Sequence, residues 1–173
     1  MKEIYPNIFI GNEQDYYLIQ RESNWAILHC CKNPFHCQFV GYRGNLSPAH
    51  PDYALKRCGN EMALNLVDMD RFSENYLGFN RNMFATAFSF LDEYRLQGHK
   101  VLIHCNQGES RAPTIGLLYV ARLGAFDYTD FDTSVKRLRE MYPMYIPKRN
   151  IFLTVKSLWR DFVQNPAEKG VNT

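Results

Sequence analysis

The sequence predicts an α/β domain with a central, mostly parallel sheet flanked by helices. Short apolar runs occur at 8–11 (IFIG), 25–30 (WAILHC), 62–67 (MALNLV) and 100–104 (KVLIH), each of strand length. Stretches of helical periodicity separate the first pair and the last pair, and only helices follow the last strand. Alternation of this kind builds a sheet covered by helices.

The elements follow in order. IFIG and WAILHC read as buried strands around a helical stretch near 13–21. Between MALNLV and KVLIH, the residues Phe84, Phe88 and Leu91 recur at i, i+4 and i+7, with Ala87 filling the face, which predicts an amphipathic helix over 80–97. Gly98 ends it. APTIGLLYVARLG predicts the next helix, with Pro113 in its first turn and Gly124 at its end. Val135, Leu138 and Met141/Tyr142 mark another. Asn150 is a candidate cap for the last, with Phe152, Val155, Trp159 and Phe162 along one face. Residues 31–61 show no long periodic element, although SPAHPDYALKRCG has room for a short helix. A loop of that length is unusual inside a compact domain, so the segment is either a functional insertion or hides further elements.

The chain has 173 residues, 46% of them apolar and 14% aromatic, as expected for one folded domain, here placed at 1–165 with a flexible tail at 166–173. A net charge of +2 without like-charge runs gives no reason to expect nucleic acid or a membrane as partner. No apolar run approaches a bilayer span, and MKEIYPNIFI lacks a signal-peptide pattern. Five cysteines without framework spacing read as free thiols in a reducing compartment, so the expected location is cytoplasmic.

Two strings read His-Cys-x5-Arg: HCQFVGYR at 36–43 and HCNQGESR at 104–111. Cysteine with arginine six positions later is the minimum equipment for attacking a phosphate, but the bare pattern arises readily by chance. Context separates the copies. An anion binds where successive N–H groups line a tight loop at the positive end of a helix. Residues 101–124 supply an apolar strand, a compact CNQGES loop with Gly108 in its middle, and a helix opening at Arg111. The same positive end favours the thiolate of Cys105. The first copy has a bulky, β-forming interior, QFVGY, followed by GNLSPAHP, which cannot be helical. Cys37-x5-Arg43 is therefore read as coincidence, and Cys105 as the nucleophile.

IHCNQGESRAPT resembles the signature loop of cysteine-dependent protein phosphatases of the dual-specificity family, which runs His-Cys-x-x-Gly-x-Ser-Arg. IYPNIFIGNEQDY is similar to that family's opening strand-turn-helix, and FATAFSFLDEYRLQGHKVLIHC to its helix-strand lead into the loop. PKRN at 147–150 is similar to its Pro-Asn element. Only 31–61 and 71–80 lack a counterpart. The resemblance implies a protein tyrosine phosphatase-like fold of the dual-specificity subtype and no cofactor. Cys105 would form a phosphocysteine intermediate. Asn106, Gln107, Gly108, Glu109, Ser110 and Arg111 would hold the phosphate, Arg111 through its planar fork. His104 either orients the loop or is an ordinary core histidine.

The family's general acid is an aspartate after the strand that precedes the long helix, where LNLVDMD offers Asp68 and Asp70. Leu64 and Leu66 satisfy the alternation expected before Asp68. Spacing favours Asp70, because both lie further from Cys105 than the family's acid. Loops absorb insertions more easily than strands absorb a change of register, so the reading leans to Asp68. The family usually has Ser or Thr after the arginine. Here the residue is Ala112, which implies slow breakdown of the intermediate, Thr114 being a turn away.

The expected partner is a phosphorylated protein or a small phosphomonoester. Glu109, unless turned to solvent, disfavours phosphoinositides and RNA 5′-triphosphates. Phosphotyrosine is preferred over phosphoserine because a phenoxide leaves more readily. Phe35, Phe39, Tyr42, Arg43 and Tyr53 form either a substrate-facing wall or packing. Competing readings are a sulfurtransferase, a silent phosphate-binding module and a phosphatase for a non-protein substrate. Cys30, Cys31, Cys37 and Cys58, with His29 and His36, fit no closed zinc site, so no metal is expected. One of these cysteines could trap an oxidised Cys105 as a disulfide.

Overall fold

The structure, a computed structural model, describes residues 1–126 and 130–163. Six strands form one sheet: β1 (Lys2–Tyr5), β2 (Ile8–Gly11), β3 (Trp25–His29), β4 (Leu55–Cys58), β5 (Glu61–Leu64) and β6 (Lys100–His104), in the spatial order β1-β2-β6-β3-β5-β4. The central four are parallel, and β1 and β4 lie antiparallel on the edges. The sheet is thus mixed and mostly parallel.

Alternation along the buried strands divides the core. Ala26, Leu28, Val101 and Ile103 face a large cluster completed by α3 (Leu77–Leu96), α4 (Arg111–Arg122), α5 (Phe131–Met141) and α6 (Arg149–Val163). Trp25, Ile27 and Leu102 face the other way, onto Ile19 of α1 (Glu13–Ile19). A parallel strand covered on both faces has to be apolar throughout, which explains the unbroken runs in the sequence. Asn12 caps α1 by accepting from the Asp15 amide at 3.0 Å while Asp15 accepts from the Asn12 amide at 2.9 Å.

Register places the site. His104, the last residue of β6, lies opposite Gly11 of β2 on one side and His29 of β3 on the other. Three carboxyl ends of parallel strands therefore meet in one row, the edge at which α/β sheets hold ligands.

Some expectations need correction. Residues 31–61 contain an irregular helical turn (Lys32–His36), the short helix α2 (Cys37–Val40) and strand β4. SPAHPDYALKRCG is not helical: its end is β4, turned back onto β5 through Gly59-Asn60, with Gly59 at φ 61°. QFVGY, expected to be β-forming, starts as one helical turn closed by Gly41 at φ 85°. MALNLV pairs only to Leu64, because the Leu66 carbonyl instead accepts from the Lys32 amide at 2.9 Å. β1 was not foreseen. Asn150 does not cap the last helix, which already begins at Arg149; its amide donates to the Met69 carbonyl at 3.2 Å. The tail expected at 166–173 lies outside the described residues.

Candidate active site

The segment after β6 curls tightly. Its carbonyls turn outward: Asn106 accepts from the Glu13 amide at 3.2 Å and Glu109 from the Ile146 amide at 2.8 Å. Ser110 accepts from the Thr114 amide at 3.2 Å and the Thr114 hydroxyl at 2.6 Å. The Cys105 amide reaches the Gly11 carbonyl at 3.4 Å, and among the described residues no backbone carbonyl takes the amides of Asn106 to Ser110. Gly108 makes the curl possible. Its φ is 74°, and a Cβ there would stand 3.0 Å from the Gly11 carbonyl carbon and oxygen and 3.1 Å from the Tyr142 hydroxyl. Cys105, at the start of the loop, is buried.

Arg111 opens α4 and folds back over the loop. It donates through Nη2 to Asn106 Oδ1 at 2.8 Å and through Nη1 to the Leu66 carbonyl at 3.1 Å. Its Nε is buried with no hydrogen-bond partner and stands 3.6 Å from Asp68 Oδ2. Asp68 Oδ1 accepts from the Ser110 hydroxyl at 2.9 Å, and that hydroxyl accepts from the Lys148 amide at 2.9 Å. Asp70 points away, with 80% of its side chain exposed and Lys148 Nζ at 3.4 Å. The structure thus brings Arg111, Ser110 and Asp68 together on the loop that begins at Cys105, and leaves Asp70 outside.

No protein-family model matches the chain. A 58-residue stretch is 38% identical to human dual specificity protein phosphatase 5, covering 34% of this chain and 15% of that relative. The solved structure of DUSP15 superposes with a TM-score of 0.62 at 15% identity, covering all of this chain and 98% of that one. Human tyrosine phosphatase-like serine/threonine/tyrosine-interacting protein gives 0.57 at 20% identity, over 91% and 93% of the two chains. The chain has the fold of the dual-specificity phosphatase structures. The chain spans about 15% of the length of that curated relative, so the likeness carries the fold and not the whole protein's activity.

Within this dual-specificity phosphatase fold, PKRN ties two parts of the site together. Lys148 reaches Ser110 of the loop, and Asn150 reaches Met69 of the aspartate segment. The Thr114 hydroxyl is committed to the Ser110 carbonyl and to a 3.0 Å hydrogen bond with the Tyr145 hydroxyl, and Ala112 is fully buried. Glu109 is half-buried rather than fully turned to solvent. Phe35 and Phe39 pack against Cys31 and Ala63, and Tyr53 meets Phe79, so these aromatics are packing. Cys37 sits in α2 and Arg43 is exposed beyond it, so the first Cys-x5-Arg string builds no cradle. All five cysteines are free. Burial pushes the Cys30 thiol well up and Cys31 to about 12, holding both as thiols. Among the described residues no three His, Cys, Asp or Glu side chains converge as a metal site, and no helix is long and apolar enough to cross a membrane.

Sequence reasoning missed Gly11, the Leu66 carbonyl, Tyr142 and the pair His29–Glu61. Only the last left a trace: two polar residues at the ends of apolar strands. Tyr142 has its pKa raised by burial first and then by nearby Asp15, Cys105 and Glu109, which places it beside the loop.

Proposed function

We propose that this chain hydrolyses phosphate monoesters, phosphotyrosine in proteins foremost, through a phosphocysteine intermediate. The observation that carries the reading is the convergence of Arg111 and Asp68, 3.6 Å apart, over a loop whose carbonyls face away from its centre. Phosphorus would sit above Cys105 with its equatorial oxygens on the loop amides and on Arg111, whose unpartnered Nε is a donor in waiting. The Cys105 thiolate attacks in line, and the P–O bond to the leaving group breaks. The departing oxygen takes a proton from Asp68 as acid, and Asp68 then accepts a proton from the water that cleaves the S–P bond. Glu109, half-buried in the loop, places negative charge beside any additional phosphate and favours simple monoesters.

Hydrolysis of an aryl phosphate by the wild type, lost in Cys105→Ser, is the expected result. Phosphate bound with no turnover would establish a silent binding module instead. A panel of phosphotyrosine and phosphothreonine peptides, phosphoinositides and 5′-triphosphorylated RNA then ranks the substrate classes, with phosphotyrosine expected first.

A further inference from the structure

The first Cys-x5-Arg string builds no phosphate cradle, yet its arginine opens on a groove beside the loop that does. A cavity of about 480 Å³ lies along the irregular turn Lys32–His36 and α2, with Asn33, Cys37, Gln38, Gly41, Tyr42 and Arg43 in its lining. Its wall is tied to the candidate active site. The Asn33 carbonyl accepts from Asn106 Nδ2 at 2.9 Å, and Asn106 Oδ1 accepts from Arg111 at 2.8 Å. The Lys32 amide meets the Leu66 carbonyl at 2.9 Å, the same oxygen that receives Arg111 Nη1. Both the phosphate loop and the segment that carries Asp68 therefore grip this wall.

The wall is also fixed from within. His36 Nε2 lies 2.9 Å from the Asp52 carbonyl, which only accepts, so that nitrogen carries hydrogen and Nδ1 of the neutral ring accepts from the Tyr42 hydroxyl at 3.0 Å. The Cys37 thiol donates to Asn33 Oδ1 at 2.9 Å, and the Gly41 and Tyr42 amides both close on the Cys37 carbonyl. A groove fixed in advance binds with less loss of freedom. Its charge is one-sided. No carboxylate lines it. Arg43 is exposed and, among the described residues, has neither an ion-pair nor a hydrogen-bond partner. Lys32 holds Nζ 5.8 Å from the centre of the Tyr42 ring, again without a carboxylate among the described residues. Asp52 is already matched by Lys56 at 2.8 Å. A cleft lined by one sign of charge gathers the opposite sign.

We propose that this groove is a substrate subsite: it takes an anionic side chain, carboxylate or phosphate, that flanks the phosphotyrosine of a peptide substrate, and Arg43 and Lys32 recognise it. This role presupposes the phosphotyrosine-protein activity proposed above. An extended peptide covers about 3.3 Å per residue, so a side chain about two to four positions from the phosphotyrosine reaches the groove. Arg43 can hold either anion through its planar fork, and the Lys32 ammonium adds charge. Glu109 does not oppose this, because Asn106 is the loop residue that meets the groove wall, whereas Glu109 is held by the Ile146 amide at 2.8 Å. Further negative charge on the substrate is disfavoured beside Glu109 and drawn in beside Asn106.

The test is a set of phosphotyrosine peptides in which glutamate, phosphoserine or glutamine occupies each position up to about four residues away on either side. In the wild type, kcat/KM at one or two positions should be about fivefold higher with glutamate than with glutamine, and higher again with phosphoserine, which carries more charge. That ratio should fall toward one in Arg43→Gln, invert in Arg43→Glu and shrink at high salt. Arg160→Gln, the same change of charge on α6, should keep the wild-type ratio. Each ratio is taken within one variant, so a general loss of activity cancels. A gain with phosphoserine alone would keep the groove as a phosphate subsite. A wild type indifferent to flanking charge, or a preference that survives in Arg43→Glu, would overturn the proposal, as would a phosphoinositide that outruns every peptide. Should even an aryl phosphate go unhydrolysed, the phosphatase reading fails. The groove is then judged by the affinities of the same peptides, in which the preference for glutamate should again disappear in Arg43→Gln.

Discussion

Replacing Asp68 and Asp70 by asparagine, one at a time, tests the proposed chemistry most directly. Asp68 has 21% of its side chain exposed, accepts from Ser110 at 2.9 Å and stands 3.6 Å from Arg111 Nε. An asparagine can keep the Ser110 contact through Oδ1, so the loop should survive, but it has no proton to give. Loss of a general acid lowers a rate by about 10²–10⁴-fold. At 1.4 kcal/mol per decade this corresponds to about 3–5.5 kcal/mol of transition-state stabilisation. The loss should depend on the leaving group: near the upper figure for phosphotyrosine peptide, and small for an aryl phosphate whose phenol is acidic enough to depart unaided. Asp70, 80% exposed with Lys148 Nζ at 3.4 Å, should change kcat/KM by no more than about twofold, as expected for an exposed ion pair. The assay is steady-state hydrolysis across aryl phosphates of graded phenol acidity, with thermal melting as control. A larger loss in Asp70→Asn, or an Asp68→Asn loss indifferent to the leaving group, would refute the assignment of the acid.

Two further outcomes follow from the same geometry. With Ala112 in place of a hydroxyl residue and Thr114 committed to Ser110 and Tyr145, rapid mixing should release a burst of phenol near the enzyme concentration before a slower steady state, and Ala112→Ser should shrink the burst and raise the steady rate. Stability should fall on acidification. His29, His36 and His104 all have pKa values lowered by burial, so the unfolded chain binds more protons than the folded one below about pH 6.5. Their contribution is full above that pH and is lost as pH falls through the folded values. Urea midpoints should drop from pH 7.5 to 5, and His29→Asn should flatten that slope.

The strands that build the site were legible because each is buried on both faces and had to be a short, continuous apolar run. The loop was legible for a different reason: a Cys-x5-Arg string means something only between a strand and a helix, and both flanks are written locally. Edge strands β1 and β4 were not, since half-exposed strands mix polar and apolar residues and pairing partners are invisible along the chain. The helical turn at Cys37–Val40 overrode the β preference of its residues through packing and the glycine that closes it.

Sequence by itself determined the alternation of strands and helices, the curl at Gly108 and the pairing of a thiol with a guanidinium six residues on, because these depend on neighbours along the chain. Tertiary structure decided which aspartate meets the loop, that Lys148 and Leu66 help to hold it, and that Glu61, His29 and His104 form one chain across three strands. Those contacts join residues far apart in sequence, and sheet register, which one-dimensional pattern does not encode, brings them within hydrogen-bond reach.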